Sequence, residues 1–305
     1  MRERIYFMRN LIISKFKIRS LTMTSAKDEE YFDTILYYIK KTYSLDCYQY
    51  RRSFVRRKIE SRMRENHIKT FKEYLQLLKK SKDEHIKLFD AIGVNVTRFF
   101  RDYSTFKYLR DVILPSISHE MQQRGLKTFR IWSAGCATGE EAYSMAILLN
   151  EIFGEKINEY IISIYGTDID REALNKAKIG TFDEKSLAET PTHYIKKYFV
   201  KISNDKERFG CKYKVKDNVR RLIRFKYHDL TSGKSMGVFN MILCRNVIIY
   251  FAKDIRERLF SFFYNSLRDF GYLILGKTEV IPQEVGNLFE PINPEERIYQ
   301  KISRR

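Results

Sequence analysis

Four carboxylates and two glycines carry the chemistry most visible in this chain. In RIWSAGCATGEEAYSMAILLN (130–150) an apolar run feeds a turn in which Gly135 and Gly139 bracket Cys136, Ala137 and Thr138. A helical pattern then opens on Glu140 and Glu141. A second apolar run, YIISIYGTDID (160–170), ends in Asp168 and Asp170. A strand feeding a glycine turn and a helix N-terminus places ligands at the C-terminal end of a sheet, where glycine permits close backbone approach. The dinucleotide spacing GxGxxG is absent, and no Lys-Ser/Thr follows as a phosphate loop requires. Glu140 and Glu141 would also repel a phosphate at the helix end that would otherwise attract it.

A ligand with hydroxyls and a positive charge fits this turn better. S-adenosylmethionine has a ribose, an ammonium and a sulfonium, and no phosphate. Taken alone, the glutamate pair is explained equally well as a complement to the helix dipole. The second acidic strand end favours the ligand: Asp168 is assigned to ribose hydroxyls and Asp170 to the cap of the following helix.

The elements that must position these groups follow from periodicity. Residues 29–120 read as helical, with apolar residues at i, i+3 and i+4 in EYFDTILYYIKKTY, RRSFVRRKIESRMREN, FKEYLQLLKK and DEHIKLFDAI. Pro115 and the polar run SISHEMQQRGLK read as a connection. From Phe129 short apolar runs alternate with amphipathic helices: FRIWSA, YIISIYGTD, LIRFKYHDL, FNMILCRN, GYLILGKTE and RIYQKI are the strand candidates. Alternation of this kind predicts a parallel sheet with helices on both faces. Between Thr181 and Arg221 it breaks, and FVKISNDKERFGCKYKVKD (199–217) reads as an inserted hairpin.

The 305 residues allow one large or two modest domains. A net charge of +19 favours acidic partners, whether nucleic acid, anionic lipid or protein. Four scattered cysteines (Cys47, Cys136, Cys211, Cys244) form no CxxC pair, which argues against a zinc site or disulfide framework and fits a reducing cytoplasm. No apolar run approaches the ~20 residues of a transmembrane helix. The start, MRERIYFMRNLIISKFKIRS, is basic with only LII as its longest apolar run, too short for a signal-peptide core, and reads as a basic extension.

Several separated motifs together resemble the CheR family of chemoreceptor glutamate O-methyltransferases: VNVTRFFRD (94–102), WSAGCATGEEAYS (132–144), GTDID (166–170), FNMILCRNVIIYF (239–251) and LILGKTE (273–279). The resemblance covers roughly residues 28–303. It implies an α/β fold: a Rossmann-like S-adenosylmethionine-dependent methyltransferase sheet with a small all-helical N-terminal domain and an inserted β-subdomain. The corresponding boundaries are a basic extension over 1–27, a helical domain over 28–115, and a cofactor-binding domain over 116–305 with the insert at about 195–220. By position it implies cofactor contacts at Asn95, Thr97, Arg101, Gly135, Glu141, Asp168, Asp229, Leu230, Arg245 and Asn246, and a tyrosine at the methyl-transfer site, Tyr250. S-adenosylhomocysteine would be the product. The chain departs from the family pattern at Ala142, where a proline is common, and at Asp229-Leu230, where Asn-Leu is common. The inserted segment lacks the multiple glycines of members that grip a receptor's C-terminal pentapeptide, which points to pentapeptide-independent recognition.

The implied reaction is an in-line displacement on a sulfonium methyl by a carboxylate. A glutamate of pKa about 4.3 is already ionised at neutral pH, so no general base is required. That agrees with the absence of a Ser-His-Asp or Cys-His constellation. Alignment alone can supply roughly 7–11 kcal/mol. Arg101 suits bidentate grip of a carboxylate, either the methyl acceptor's or the cofactor's. Without the resemblance it would read as a surface arginine beside Phe99 and Phe100, and Tyr250 as core.

RRSFVRRKIESRMR (51–64) presents Val55, Ile59 and Met63 on one helical face, with Arg57 and Arg64 opposite and Lys58 and Arg62 on the flanks. This is either a solvated face or a docking surface for an acidic partner. The resemblance implies the glutamate-rich helices of a chemoreceptor's cytoplasmic region. It also implies a cytoplasmic protein that acts as a monomer, without membrane insertion or nucleic acid. Two rival functions remain: a nucleic-acid methyltransferase, although the Asn-Pro-Pro-aromatic motif is missing, and a non-catalytic cofactor-binding module.

Overall fold

The computed structural model describes residues 26–42, 45–93, 95–203 and 211–303. The basic extension expected over 1–27 lies almost wholly outside them. The chain divides into two compact units, the first ending at Gly93.

The first unit contains helices α1 (26–42), α2 (Arg52–Glu65), α3 (Phe71–Lys80) and α4 (Lys82–Ile92). Phe32, Ile35, Leu36 and Ile39 form the buried stripe of α1, and Val55, Ile59 and Met63 that of α2, as the periodicity predicts. A capping box between Thr70 and Glu73 starts α3. Arg62 departs from the expected docking face. It is buried, and its Nε and Nη2 donate to Glu84 at 2.9 and 2.6 Å, while the Tyr74 hydroxyl donates to the same carboxylate at 2.8 Å. Arg62 is thus a core ion-pair member, because a partner 22 positions away supplies the charge that burial demands.

The second unit opens with a helical run, α5 (Tyr103–Tyr108), a π-helical turn (Leu109–Ile113) and α6 (Leu114–Gln123). The expected connection around Pro115 is therefore a helix. Pro115 sits in the first turn of α6, where its missing N–H costs little. Phe106, Leu109, Ile113, Leu114, Ile117 and Met121 join the same core as Ile131, Met145 and Leu149. That shared core is why the units divide near residue 93 rather than at the expected 115/116.

The main sheet has strands β1 (Thr128–Ala134), β2 (Ile161–Asp168), β6 (Ile223–Tyr227), β7 (Phe239–Cys244), β8 (Leu267–Leu275), β9 (Phe289–Asn293) and β10 (Ile298–Lys301), in the order β6-β2-β1-β7-β8-β10-β9. The first five of that order run parallel, and β10 and β9 close the edge antiparallel. Helices α7 (Glu140–Phe153), α8 (Arg171–Ile179) and α11 (Lys253–Ser266) join or follow the parallel strands. Ile131, Trp132, Ser133 and Ala134 are all buried, as expected of a strand covered on both faces. The sequence order reverses between β1 and β7, which opens a crevice at their C-terminal ends.

The insert is a three-stranded antiparallel sheet rather than a hairpin alone. Strands β4 (Phe199–Ser203) and β5 (Lys212–Val215) lie as expected, and β3 (Thr181–Asp183) adds to β5. Residues 204–210 of the expected hairpin lie outside the described residues. Two short helices, α9 (Thr192–Tyr198) and α10 (Asp217–Arg220), flank it. Among the described residues no helix is long and apolar enough to cross a membrane.

Candidate functional site

The end of β1 turns sharply at Gly135, whose φ of +78° an L side chain rarely adopts. Its N–H and that of Cys136 both donate to the Thr167 carbonyl, at 2.8 and 2.9 Å. A Cβ on Gly135 would lie 2.5 Å from Val247 Cγ2, so the two strand ends approach as closely as glycine allows. Gly139, with φ +94°, then starts α7.

The two glutamates separate in role. Glu140 is buried and accepts from Thr138 Oγ1 at 2.6 Å. Glu141 lines the crevice. It accepts from Ser133 Oγ at 2.7 Å and lies 3.6 Å from Arg245 Nη1. Asp170 takes the cap role expected of it. Asp170 Oδ1 caps α8 through the N–H groups of Glu172 and Ala173 at 2.8 and 3.0 Å. Its Oδ2 accepts from Asn95 Nδ2 at 2.6 Å. Asp168 Oδ2 accepts from the Ala137 N–H at 2.8 Å, and Oδ1 from the Asp170 N–H at 2.9 Å. Burial raises the pKa of Glu140, Glu141 and Asp168, and for Glu141 the nearby Arg245 partly offsets it. Ionised carboxylates held against their desolvation cost favour a cation beside them.

The opposite wall comes from residues 95–102 and the loop after β7. Arg101 Nη1 donates to the Val96 carbonyl at 2.8 Å. Arg245 Nη2 donates to the Arg101 carbonyl and to Asp102 Oδ2, both at 2.8 Å, and its guanidinium lies 5.2 Å from the Phe106 ring centre. Beside it, Glu279 is buried and collects backbone N–H donors: Asn246 at 2.8 Å, Val247 at 2.9 Å, Ile248 at 2.7 Å, Ile249 at 3.3 Å and Gly276 at 2.8 Å.

These walls enclose a crevice of about 430 Å³, including space open to solvent. Thr97, Arg101, Gly135, Glu141, Arg245 and Asn246 all line it. Asp168 borders it through its bond from the lining residue Ala137, while Asn95, which precedes the lining residue Val96, bonds Asp170. Asp229 lies beyond the end of β6, its carboxylate accepting from Thr231 N and Oγ1 at 2.8 and 2.6 Å, and Leu230 is buried next to it. Tyr250 closes a 3₁₀ turn (Ile248–Tyr250) and is half-buried. Arg57 and Arg64 are exposed on α2 and Lys58 is half-buried, all in the first unit.

Residue-type reasoning missed Ser133, Asp102 and Glu279. Each lies inside a quoted motif, but only the folded geometry gives it a partner. Two buried side-chain atoms of residues that line the crevice, Arg245 Nε and Asn246 Oδ1, have no hydrogen-bond partner among the described residues. An unpartnered donor and acceptor, a glycine cradle and carboxylates of which, among the described residues, only Glu141 has a cation nearby fit a small ligand that carries a cation and both kinds of hydrogen-bonding group.

Comparison with known proteins gives this chemistry a context. Residues 95–298 match the family model described as CheR methyltransferase, SAM binding domain, and residues 30–92 the one described as CheR methyltransferase, all-alpha domain. A chemotaxis protein methyltransferase of Borreliella burgdorferi is 29% identical over 266 residues, covering 86% of this chain and 91% of the relative. One from Listeria monocytogenes is 31% identical over 258 residues, covering 84% and 90%. Chemotaxis protein methyltransferase 1 of Vibrio cholerae is 32% identical over 202 residues, covering 66% and 70%.

Proposed function

The chain belongs to the CheR methyltransferase family and binds S-adenosylmethionine; from that premise we propose that it esterifies glutamate side chains of chemotaxis receptors. The observation that carries the reading is the convergence of Arg101, Glu141, Arg245 and the Gly135 cradle on one crevice. The bound cofactor supplies an electrophilic methyl group on a cationic sulfur. Glu141 and Asp168 would supply it with negative charge, and the side chains of Asn246 and Arg245, which line the crevice, with hydrogen-bonding groups. Arg101 has spent one N–H on Val96, and the rest of its fork suits the incoming carboxylate. That acceptor arrives ionised, so no residue needs to remove a proton. The thiols of Cys136 and Cys244 are pushed well above their ordinary pKa by burial, so neither competes as a thiolate. Tyr250, on the turn that follows Asn246, is assigned to the wall of the transfer site.

The partner is the acidic helical region of a receptor. A net charge of +19 with Arg57 and Arg64 exposed on α2 favours its approach, raising the association rate more than the affinity. Incubation with tritiated S-adenosylmethionine and receptor tests the reading. Base-labile label on receptor supports a methyl ester. Label on nucleic acid, or binding without any transfer, would refute it.

A further inference from the structure

We propose that Glu279 is a positioning residue for the methyl-transfer site, acting through the loop that carries Arg245, Asn246 and Tyr250. The proposal rests on the cofactor-binding reading above. β7 and β8 are adjacent parallel strands, with Cys244 opposite Leu275, so their following loops leave the sheet side by side. Glu279 lies in the second loop and organises the first. Oε1 accepts from Val247, Ile248 and Ile249, and Oε2 from Asn246 and Gly276. Four consecutive N–H groups converging on one carboxylate define the loop's path. Without it they would lose their acceptor, the buried Ile248 N–H among them. Asn246 sits at φ +60°, a conformation that persists only where its surroundings fix it. Gly276 permits the approach: a Cβ there would lie 2.8 Å from both Asn246 N and Glu279 Oε2.

A carboxylate is required rather than an amide of the same shape. In Glu279→Gln either orientation turns an NH₂ toward at least two N–H donors. The loop must shift to separate them, and the Asn246 and Arg245 side chains shift with it.

The test is calorimetric titration of purified full-length protein with S-adenosylhomocysteine, together with kcat and Tm. The variants are Glu279→Gln, Gly276→Ala and, as control, Glu84→Gln. Glu84 is another buried carboxylate, in the helical unit, so its amide should lower Tm without changing ligand affinity. Glu279→Gln and Gly276→Ala should each weaken S-adenosylhomocysteine about tenfold in the folded fraction and lower kcat about 100-fold. Wild-type affinity and kcat in either folded variant would overturn the proposal, even with a lowered Tm. If Glu279→Gln does not fold, Gly276→Ala decides. A wild-type protein that binds no S-adenosylhomocysteine would overturn the reading beneath the proposal, and the proposal with it.

Discussion

Asp168→Asn tests how the crevice is proposed to hold its ligand. The carboxylate accepts the Ala137 N–H at 2.8 Å and the Asp170 N–H at 2.9 Å. An amide keeps one of these bonds and turns an NH₂ toward the other donor, at a cost of about 1–3 kcal/mol for a buried unpaired group. In a unit of this size that corresponds to a fall in Tm of about 2–12 °C. The ribose hydroxyls assigned to Asp168 would lose a charged acceptor, about 1.5–3 kcal/mol, or roughly 10- to 150-fold in Kd. The two losses separate with a second ligand. Calorimetry with S-adenosylhomocysteine and its 2′,3′-dideoxy analogue, on wild type and variant, forms a double cycle. The turn's contribution is common to both ligands, so only the hydroxyl bonds appear as coupling. A coupling of at least about tenfold is expected. Equal losses for both ligands, within about twofold, would refute the assignment of Asp168 to the ribose, whatever happened to Tm.

Arg101→Ala should lower kcat about 100-fold with the melting curve unchanged, and near-normal methylation by the folded variant would remove its proposed role. Arg57→Glu with Arg64→Glu should slow receptor association in low salt, with little difference at high salt and no change in S-adenosylhomocysteine affinity. Arg62→Ala should behave differently. It leaves Glu84 buried without its ion pair and should destabilise the helical unit by about 3–5 kcal/mol in urea unfolding. pH provides a further check. Burial raises the pKa of Asp168 and Glu141, so their stability contribution to the free protein is full while both are protonated and lost as pH climbs through those raised values. A cation in the crevice reverses the sign. The Tm gain given by S-adenosylmethionine should therefore shrink on acidification from about pH 7.5, beginning above the ordinary carboxylate range near about 4. A gain that held constant down to that range would contradict the electrostatic account.

Local chemistry made some of the site legible in the sequence. The turn at Gly135 and Gly139 needs positive φ, and glycine marks it. Asp170, immediately before a helical pattern, is a cap by type and place. What escaped the sequence depends on partners distant along the chain. Glu279 gains its role because β8 lies beside β7, which brings it to N–H groups 30 or more positions away. A helical wheel puts Arg62 on a flank, but only Glu84 explains its burial. Pro115 read as a break because composition cannot show that it falls in a first turn after a π-helical one. β9 is not legible in the sequence because FEPIN contains Pro291, which a strand tolerates here because β9 is the edge of the sheet.

The crevice between the β1 and β7 ends is proposed to select an adenosyl cation over a phosphate-bearing nucleotide. Competition titration of the purified chain with S-adenosylmethionine, ATP and NAD measures that selection directly. Saturable binding of S-adenosylmethionine that neither nucleotide displaces is the expected result. Displacement by ATP or NAD at comparable concentration would contradict it.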